Sequence, residues 1–186
     1  MKRLFAAIST IPDEGFISGY RNLKDALHPH KIKWVEEENL HITLKFFGET
    51  SEARIPDICR VVNSVAAELP QFSFNYEGLG VFGSSYNPRV IWAGIRPYDQ
   101  VSQMIMTLKH ELATIGFPAD RQNPVPHLTL GRIRSLQDRV AFQKDLDSKK
   151  KISSGPMKAE KIVLFESILQ PTGPKYLVID SFPLKK

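Results

Sequence analysis

The feature that most constrains this chain is a short motif that occurs twice. Residues His41-Ile42-Thr43-Leu44 and His127-Leu128-Thr129-Leu130 both read His-x-Thr-Leu. Given the composition, roughly 0.02 such tetrads are expected by chance in a chain of this length. Two matched copies therefore indicate a shared structural or chemical role.

Each tetrad follows a similar apolar segment at the same distance. Arg3-Leu4-Phe5-Ala6-Ala7 begins 38 residues before His41, and Arg89-Val90-Ile91-Trp92-Ala93 begins 38 residues before His127. This constant offset favours an internal duplication. We therefore expect one domain over residues 1–186, made of two pseudo-symmetric lobes at about 1–85 and 86–186, with strand exchange between the lobes as an option.

Hydrophobic periodicity predicts strands and helices in the same order in both halves. Residues 40–46 alternate between apolar and polar, which predicts a strand with Phe46 on its buried face and Lys45 on the other. A helix follows in each half, with Ser51 and Ser135 as expected N-caps, and the second tetrad is expected to lie in a strand from residue 125 to 130. The expected fold class is α/β (α+β type), a bilobal fold with two antiparallel-rich sheets flanking a central cleft and helices outside.

Composition narrows the functional classes. With 42% hydrophobic and 24% charged residues, the chain has the profile of a soluble globular protein. The apolar run after Arg3 is too short for a signal peptide, and the lone Cys59, expected to pack in a helix, leans towards a reducing compartment, so we expect a cytoplasmic protein. The net charge of +5 would help attract a polyanion but identifies no partner.

The tetrads suit acid–base chemistry on a phosphodiester. Residues i and i+2 share one face of a strand, so each His and Thr form half a site, and a pseudo-twofold would bring the two halves together. A neutral imidazole can accept a proton from water while a protonated one donates to the leaving oxygen, and the threonine hydroxyls can contact the non-bridging oxygens. The residues alone do not show which histidine has which role. Without a Cys cluster or carboxylates at ligand spacing, no metal and no other cofactor are expected.

The chain resembles the 2H phosphoesterases, and most closely the RNA 2′,3′-cyclic phosphodiesterases, also called 2′-5′ RNA ligases. The resemblance runs nearly end to end, from Arg3-Leu4-Phe5-Ala6 through residues 34–49 and 126–132 to Glu166-Ser167. It implies metal-independent opening of a 2′,3′-cyclic phosphate to a 2′-phosphomonoester, with a weak reverse ligation.

By the same resemblance, His41 is the proton donor to the leaving 3′-oxygen and His127 is the proton acceptor from water. Thr43 and Thr129 correspond to phosphate-contacting threonines, and Arg132 occupies a family position near the phosphate. Simple alternation nevertheless puts Arg132 on the face opposite His127, unless a bulge at Gly131 reverses it.

Several other residues have both a functional and a structural interpretation. Trp34, Phe47 and Tyr86 could stack on an RNA base, although core packing is the favoured interpretation of each. Arg89 is either a basic lip of the cleft or a surface charge at a strand end. The remaining histidines, His28, His30 and His110, are expected at the surface.

The expected partner is RNA with a 2′,3′-cyclic phosphate end, such as a tRNA fragment, or a small cyclic nucleotide, and a monomer is expected. Two other hypotheses stay open. A noncatalytic module could bind RNA ends or nucleotides without turnover, and a related 2H phosphodiesterase could act on an ADP-ribose cyclic phosphate.

Overall fold

The computed structural model describes residues 1–118, 125–171 and 173–186. Within these residues the chain forms nine strands and four α-helices. In chain order they are β1 Lys2–Ile8, α1 Glu14–Ala26, β2 Lys31–Trp34, β3 Ile42–Thr50, α2 Ile55–Glu68, β4 Phe72–Ser84, β5 Asn87–Arg96, α3 Asp99–Thr114, β6 Leu128–Ser135, α4 Arg139–Ser148, β7 Met157–Ala159, β8 Lys161–Gln170 and β9 Gly173–Pro183. Among the described residues, no helix has the length and apolar character needed to cross a membrane.

The strands follow the order β7-β4-β5-β6-β3-β1-β8-β9, with β2 added on β6, and the neighbours pair antiparallel. The predicted mixed α/β class is confirmed. The two central strands, β3 and β6, meet in register only at Ile42 and Leu128. The described strands thus form one nine-stranded sheet instead of the two expected, and this single register position joins the half that contains β1, β8 and β9 to the half that contains β4 and β5.

Each half of the sheet contains strands from both halves of the chain. The C-terminal hairpin β8–β9 pairs with the N-terminal strand β1, and β2 pairs with β6. On the helix side, the single hydroxyl hydrogen of Tyr20 in α1 is shared between the carbonyl oxygens of Val35 (2.7 Å) and Leu130 (2.8 Å). The tetrad leucines and their neighbours are buried on this side, which leaves the opposite side of the sheet for the histidines.

A β-bulge corrects the predicted alternation of β3. Ala7 pairs with Thr43 and Ala6 with Lys45, so Leu44 has no partner of its own on β1. The extra residue reverses the faces that follow it. Lys45 is consequently buried and donates from Nζ to the Pro118 carbonyl oxygen (2.8 Å), whereas Phe46, predicted in the core, is 58% exposed.

The offset that aligns the two halves in sequence differs by one residue from the strand register, for the strands that precede the tetrads. It equates Ile8 with Gly94, whereas Ile8 pairs with Ile42 and Ala93 pairs with Leu128. A one-residue slip moves every side chain to the other face of a strand. Arg3 and Arg89 therefore do not occupy equivalent positions, although the sequence aligns them.

Three local predictions about strand limits and helix caps are wrong. The strand with the second tetrad begins at Leu128, three residues later than expected. Ser51 precedes a short 3₁₀ turn and makes no side-chain capping bond. Ser135 ends β6, and Asp138 caps α4 instead, where its carboxylate accepts from the backbone N–H groups of residues 140 and 141.

One histidine prediction is also wrong. His30 is buried rather than exposed, because its ring packs against Phe142 (5.5 Å between centroids) and its Nδ1 accepts from the Gln137 backbone N–H (3.3 Å). His28 and His110 are exposed, as predicted.

Candidate active site

The two tetrad histidines have the same local geometry. Each lies immediately before its strand, and its Nδ1 is 2.7 Å from the carbonyl oxygen two residues earlier, which belongs to Asn39 for His41 and to Val125 for His127. Because a carbonyl oxygen can only accept, Nδ1 carries the hydrogen in each ring. The Nε2 atoms are thereby left as the nitrogens available for proton transfer.

The strand register brings the two half-sites together. Ile42 and Leu128 are paired across β3 and β6. Extending this antiparallel register by one residue on each side places His41 opposite Thr129 and His127 opposite Thr43. Since residues on either side of a pair share one face, the four polar side chains surround a single point on the open side of the sheet.

Aromatic rings support both imidazoles from neighbouring strands. The His41 ring lies 4.8 Å from Phe5 and meets Tyr176 edge-on at 5.3 Å. The His127 ring meets Phe82 edge-on at 4.7 Å and lies 6.2 Å from Trp92. These contacts restrict rotation of each ring and exclude water from one side of it.

Burial lowers the pKa of both histidines. For His41, burial is the largest effect, the bond to the Asn39 carbonyl opposes it, and the charges of His127 and Arg132 lower the pKa further. For His127, burial again comes first, and Arg132 also lowers the pKa. Both rings therefore favour the neutral form near pH 7, and an anionic ligand would favour protonation of one of them.

A second β-bulge places Arg132 on the histidine side. In β6, Thr129 pairs with Trp92 and Arg132 pairs with Val90, so Leu130 lies between two register positions without a partner on β5. Trp92 and Val90 share one face of β5, and Thr129 and Arg132 consequently share one face of β6. Arg132 therefore lies on the same face as His127, contrary to simple alternation. The bulge that causes this is at Leu130 and not at Gly131.

The remaining predicted residues lie elsewhere. Trp34 packs against Tyr20 and lies so close to Gly131 that a Cβ there would be 2.8 Å from its ring, and Phe47 packs edge-on against Phe117, so core packing is confirmed for both. Tyr86 is 77% exposed in the turn between β4 and β5. Arg89 is exposed at a bulge of β5, where it has no partner on β4.

Two cavities differ in their relation to this site. One, of about 510 Å³, is lined by the β8–β9 hairpin and by Asn39 and Tyr176, which both contact His41, although His41 itself does not line it. The other, of about 650 Å³, lies between the β4–β5 hairpin and α4, and no tetrad residue lines it. Among residues 1–118, 125–171 and 173–186, no three His, Cys, Asp or Glu side chains form a group that could hold a metal ion.

Sequence reasoning missed the aromatic residues around the histidines. Phe5 lies in the N-terminal segment that carries the resemblance, yet nothing in its local pattern indicates a contact with His41. Tyr176 comes from the far end of the chain, and only the pairing of β8 with β1 brings it to the site.

Comparison with known proteins identifies related sequences. A family model described as LigT-like phosphoesterase matches twice, at residues 11–92 and 95–176, and each match contains one tetrad. The chain is 32% identical to an RNA 2′,3′-cyclic phosphodiesterase of Methanothermobacter thermautotrophicus, over 98% of each chain. It is 33% identical to a protein of the same name from Methanocaldococcus jannaschii, over 95% of this chain and 98% of the relative.

Solved structures share the fold. A protein of Thermus thermophilus superposes with a TM-score of 0.79 at 23% identity, over 98% of each chain. E. coli LigT in complex with 3′-AMP superposes with a TM-score of 0.78 at 23% identity, over 100% of this chain and 99% of that one.

Proposed function

This chain belongs to the LigT-like phosphoesterase family, and from that membership and its paired histidines we propose that it hydrolyses 2′,3′-cyclic phosphates at RNA ends. It is accordingly a cyclic phosphodiesterase. The observation that carries the proposal is the pair of imidazoles, each with Nδ1 bonded to a carbonyl and Nε2 free, on one side of the Ile42–Leu128 contact.

The proposed reaction uses one histidine as a base and the other as an acid. Nε2 of His127 accepts a proton from water as the water oxygen attacks phosphorus. The bond from phosphorus to the 3′-oxygen breaks, and Nε2 of His41 donates its proton to that oxygen. The products are a 2′-phosphomonoester and a free 3′-hydroxyl, and the second cycle begins after the proton returns to His41.

Three further side chains act on the phosphate in this proposal. The hydroxyls of Thr43 and Thr129 donate to the non-bridging oxygens, where negative charge increases in the transition state. The Arg132 guanidinium shares their face and balances the same charge. In the free protein, the charge of Arg132 lowers the pKa of His41. A bound anionic phosphate offsets this repulsion and favours the protonated form of His41 that the reaction needs.

The proposal extends to metal independence, assembly and compartment. Both protons move between side chains and substrate, so no metal is required by any step. All five side chains come from one chain, so a monomer suffices. The lone Cys59, partly buried in α2, suits a reducing compartment, and we place the protein in the cytoplasm.

The test uses purified protein in excess EDTA with a short RNA that ends in a 2′,3′-cyclic phosphate. The expected product is the 2′-monophosphate only, separated from the 3′-monophosphate by chromatography. His41→Ala and His127→Ala should each lower kcat/KM by about 100-fold or more, because each removes one proton-transfer group. His110→Ala, on an exposed histidine of α3, is the matched control and should retain full activity.

Each alternative has its own signature in this experiment. Tight binding without product would support a noncatalytic RNA-end module. A 3′-phosphate product would reverse the assigned orientation, and turnover that survives either alanine variant would contradict the paired-histidine mechanism. Selective turnover of an ADP-ribose cyclic phosphate would place the chain among phosphodiesterases of small nucleotides.

A further inference from the structure

Arg3 lies on the active-site side of β1. It is exposed and lies two residues before Phe5, whose ring contacts His41. Residues two apart in a strand share a face and are separated by about 7 Å. Arg3 therefore lies about 7 Å beyond Phe5 along β1, on the side away from His41.

Tyr176 connects Arg3 to the site. Its ring packs edge-on against both His41 (5.3 Å) and Phe5 (4.9 Å). Burial raises the pKa of the Tyr176 hydroxyl, and the positive charges of Arg132 and Arg3 act in the opposite direction. One phenol hydroxyl thus lies within the electrostatic reach of two guanidinium groups, one on β1 and one on β6.

The charge of Arg3 is not neutralised by an ion pair within the described part of the chain. Its cross-strand neighbour is Glu49, but the two form no ion pair within 4.0 Å. The adjacent Lys2, on the opposite face of β1, does form one, with Glu166 at 2.6 Å. On one face of β1, Lys2 is therefore held in an ion pair. On the face of the histidines, Arg3 carries a guanidinium that forms no ion pair within the described part of the chain.

We propose that Arg3, with the Tyr176 hydroxyl, forms a second anion subsite that binds the phosphate on the 5′ side of the terminal nucleoside. This inference rests on the proposed function. With the cyclic phosphate between the histidines, the RNA chain runs along β1 past Tyr176 towards Arg3. The subsite selects substrates with a phosphate on the 5′ side, so a cyclic-phosphate RNA end is preferred to a bare nucleoside 2′,3′-cyclic phosphate.

The test compares three substrates in the wild type and in Arg3→Gln. They are a nucleoside 2′,3′-cyclic phosphate, the same compound with a 5′-phosphate, and a dinucleotide that ends in a cyclic phosphate. We expect Arg3→Gln to lower kcat/KM by about 5- to 10-fold for the dinucleotide, the range for one charge-assisted contact at an exposed site, and to leave the unphosphorylated compound unchanged. Arg3→Lys should restore part of the loss.

Arg89→Gln is the matched control. Arg89 is also an exposed arginine that the sequence aligns with Arg3, but the strand register gives the two residues different positions relative to the tetrads. Arg89→Gln should leave the ratio between substrates unchanged. The affinity for the dinucleotide should also be measured at several salt concentrations. Loss of one phosphate contact should reduce the slope of log affinity against log salt by about 0.7 for a single strand.

The outcomes separate the sources of the phosphate. A loss confined to the dinucleotide assigns the subsite to an RNA phosphodiester, and a loss shared with the 5′-phosphorylated compound shows that any phosphate on this side is recognised. Both support the subsite. An equal loss on all three substrates, or none, overturns it.

Failure of the proposed function would be distinguishable. If the wild type hydrolyses none of the three compounds, the proposed function is contradicted, and the subsite is then decided by calorimetric binding of the same compounds. A weaker affinity of Arg3→Gln for the two phosphorylated compounds alone would still support it, and equal affinities of both proteins would overturn it.

Discussion

At the scale of single residues, the environments of the two histidines predict the pH range of the proposed reaction. Burial lowers the pKa of both rings from the ordinary value of 6.5. The proposed mechanism requires one ring to be neutral and the other protonated in the free enzyme. We therefore expect a bell-shaped profile of kcat/KM with its maximum on the acid side of 6.5. The two limbs belong to the coupled pair rather than to single residues. A maximum above about pH 7.5 in steady-state kinetics, a full unit beyond that ordinary value, would contradict this assignment.

Arg132 contributes to the same profile. Its charge lowers the pKa of both histidines, so Arg132→Gln should move both limbs of the profile to higher pH. The variant would also lose the proposed contact to the phosphate, and kcat/KM at the optimum should fall on the order of tenfold or more. The measurement is the full pH profile beside that of Arg139→Gln, a surface variant on α4 that should match the wild type.

At the scale of secondary-structure elements, the start of α4 tests the corrected cap. The Asp138 carboxylate accepts from two backbone N–H groups, at 2.7 and 3.0 Å, whereas Ser135 belongs to β6. Asp138→Ala should lower the free energy of unfolding by about 1 kcal/mol, and Ser135→Ala should change it by less than about 0.5 kcal/mol. Urea denaturation of both variants would check the assignment, and equal effects would refute it.

The close contact between Gly80 of β4 and Trp92 of β5 leads to a second prediction at this scale. Gly80 faces Trp92, and a Cβ at residue 80 would overlap the Trp92 ring that backs His127. Gly80→Ala should therefore cost about 1–3 kcal/mol of stability and reduce activity by displacing that ring. Thermal denaturation and kcat would measure both effects. The double variant with Trp92→Leu relieves the overlap, so it should regain stability without regaining full activity.

For the whole molecule, the same histidines couple stability to pH. Their pKa values are lowered on folding, so the unfolded chain binds more protons than the folded one as the pH falls below 6.5. Stability is retained above 6.5 and should decline below it, by about 1.4 kcal/mol for each unit by which a pKa is lowered. Unfolding measured from about pH 8 to about pH 5, which spans the ordinary histidine pKa, should show this decline. A His41→Gln/His127→Gln double variant should show a smaller one, and parallel curves would contradict the coupling.

Local sequence patterns predict much of this molecule. Alternation and helical spacing predict most of the strands and helices, and the repeated tetrad is sufficient to identify His41 and His127 as the candidate catalytic pair. These signals are local, because the period of side-chain exposure is a property of a single strand or helix. The short strands β2 and β7 carry too few residues to display a period, so the pattern does not predict them.

Tertiary contacts are needed to establish which face each residue occupies after an irregularity. The unpaired Leu44 and Leu130 reverse the faces of Phe46 and Arg132, and the register against β1 and β5 that reveals them involves residues far away in sequence. Most elements and the two histidines thus follow from the local sequence. The pairing of β8–β9 with β1 brought Tyr176 to His41, and the strand register separated Arg3 from Arg89, because both depend on contacts between distant segments that no local pattern encodes.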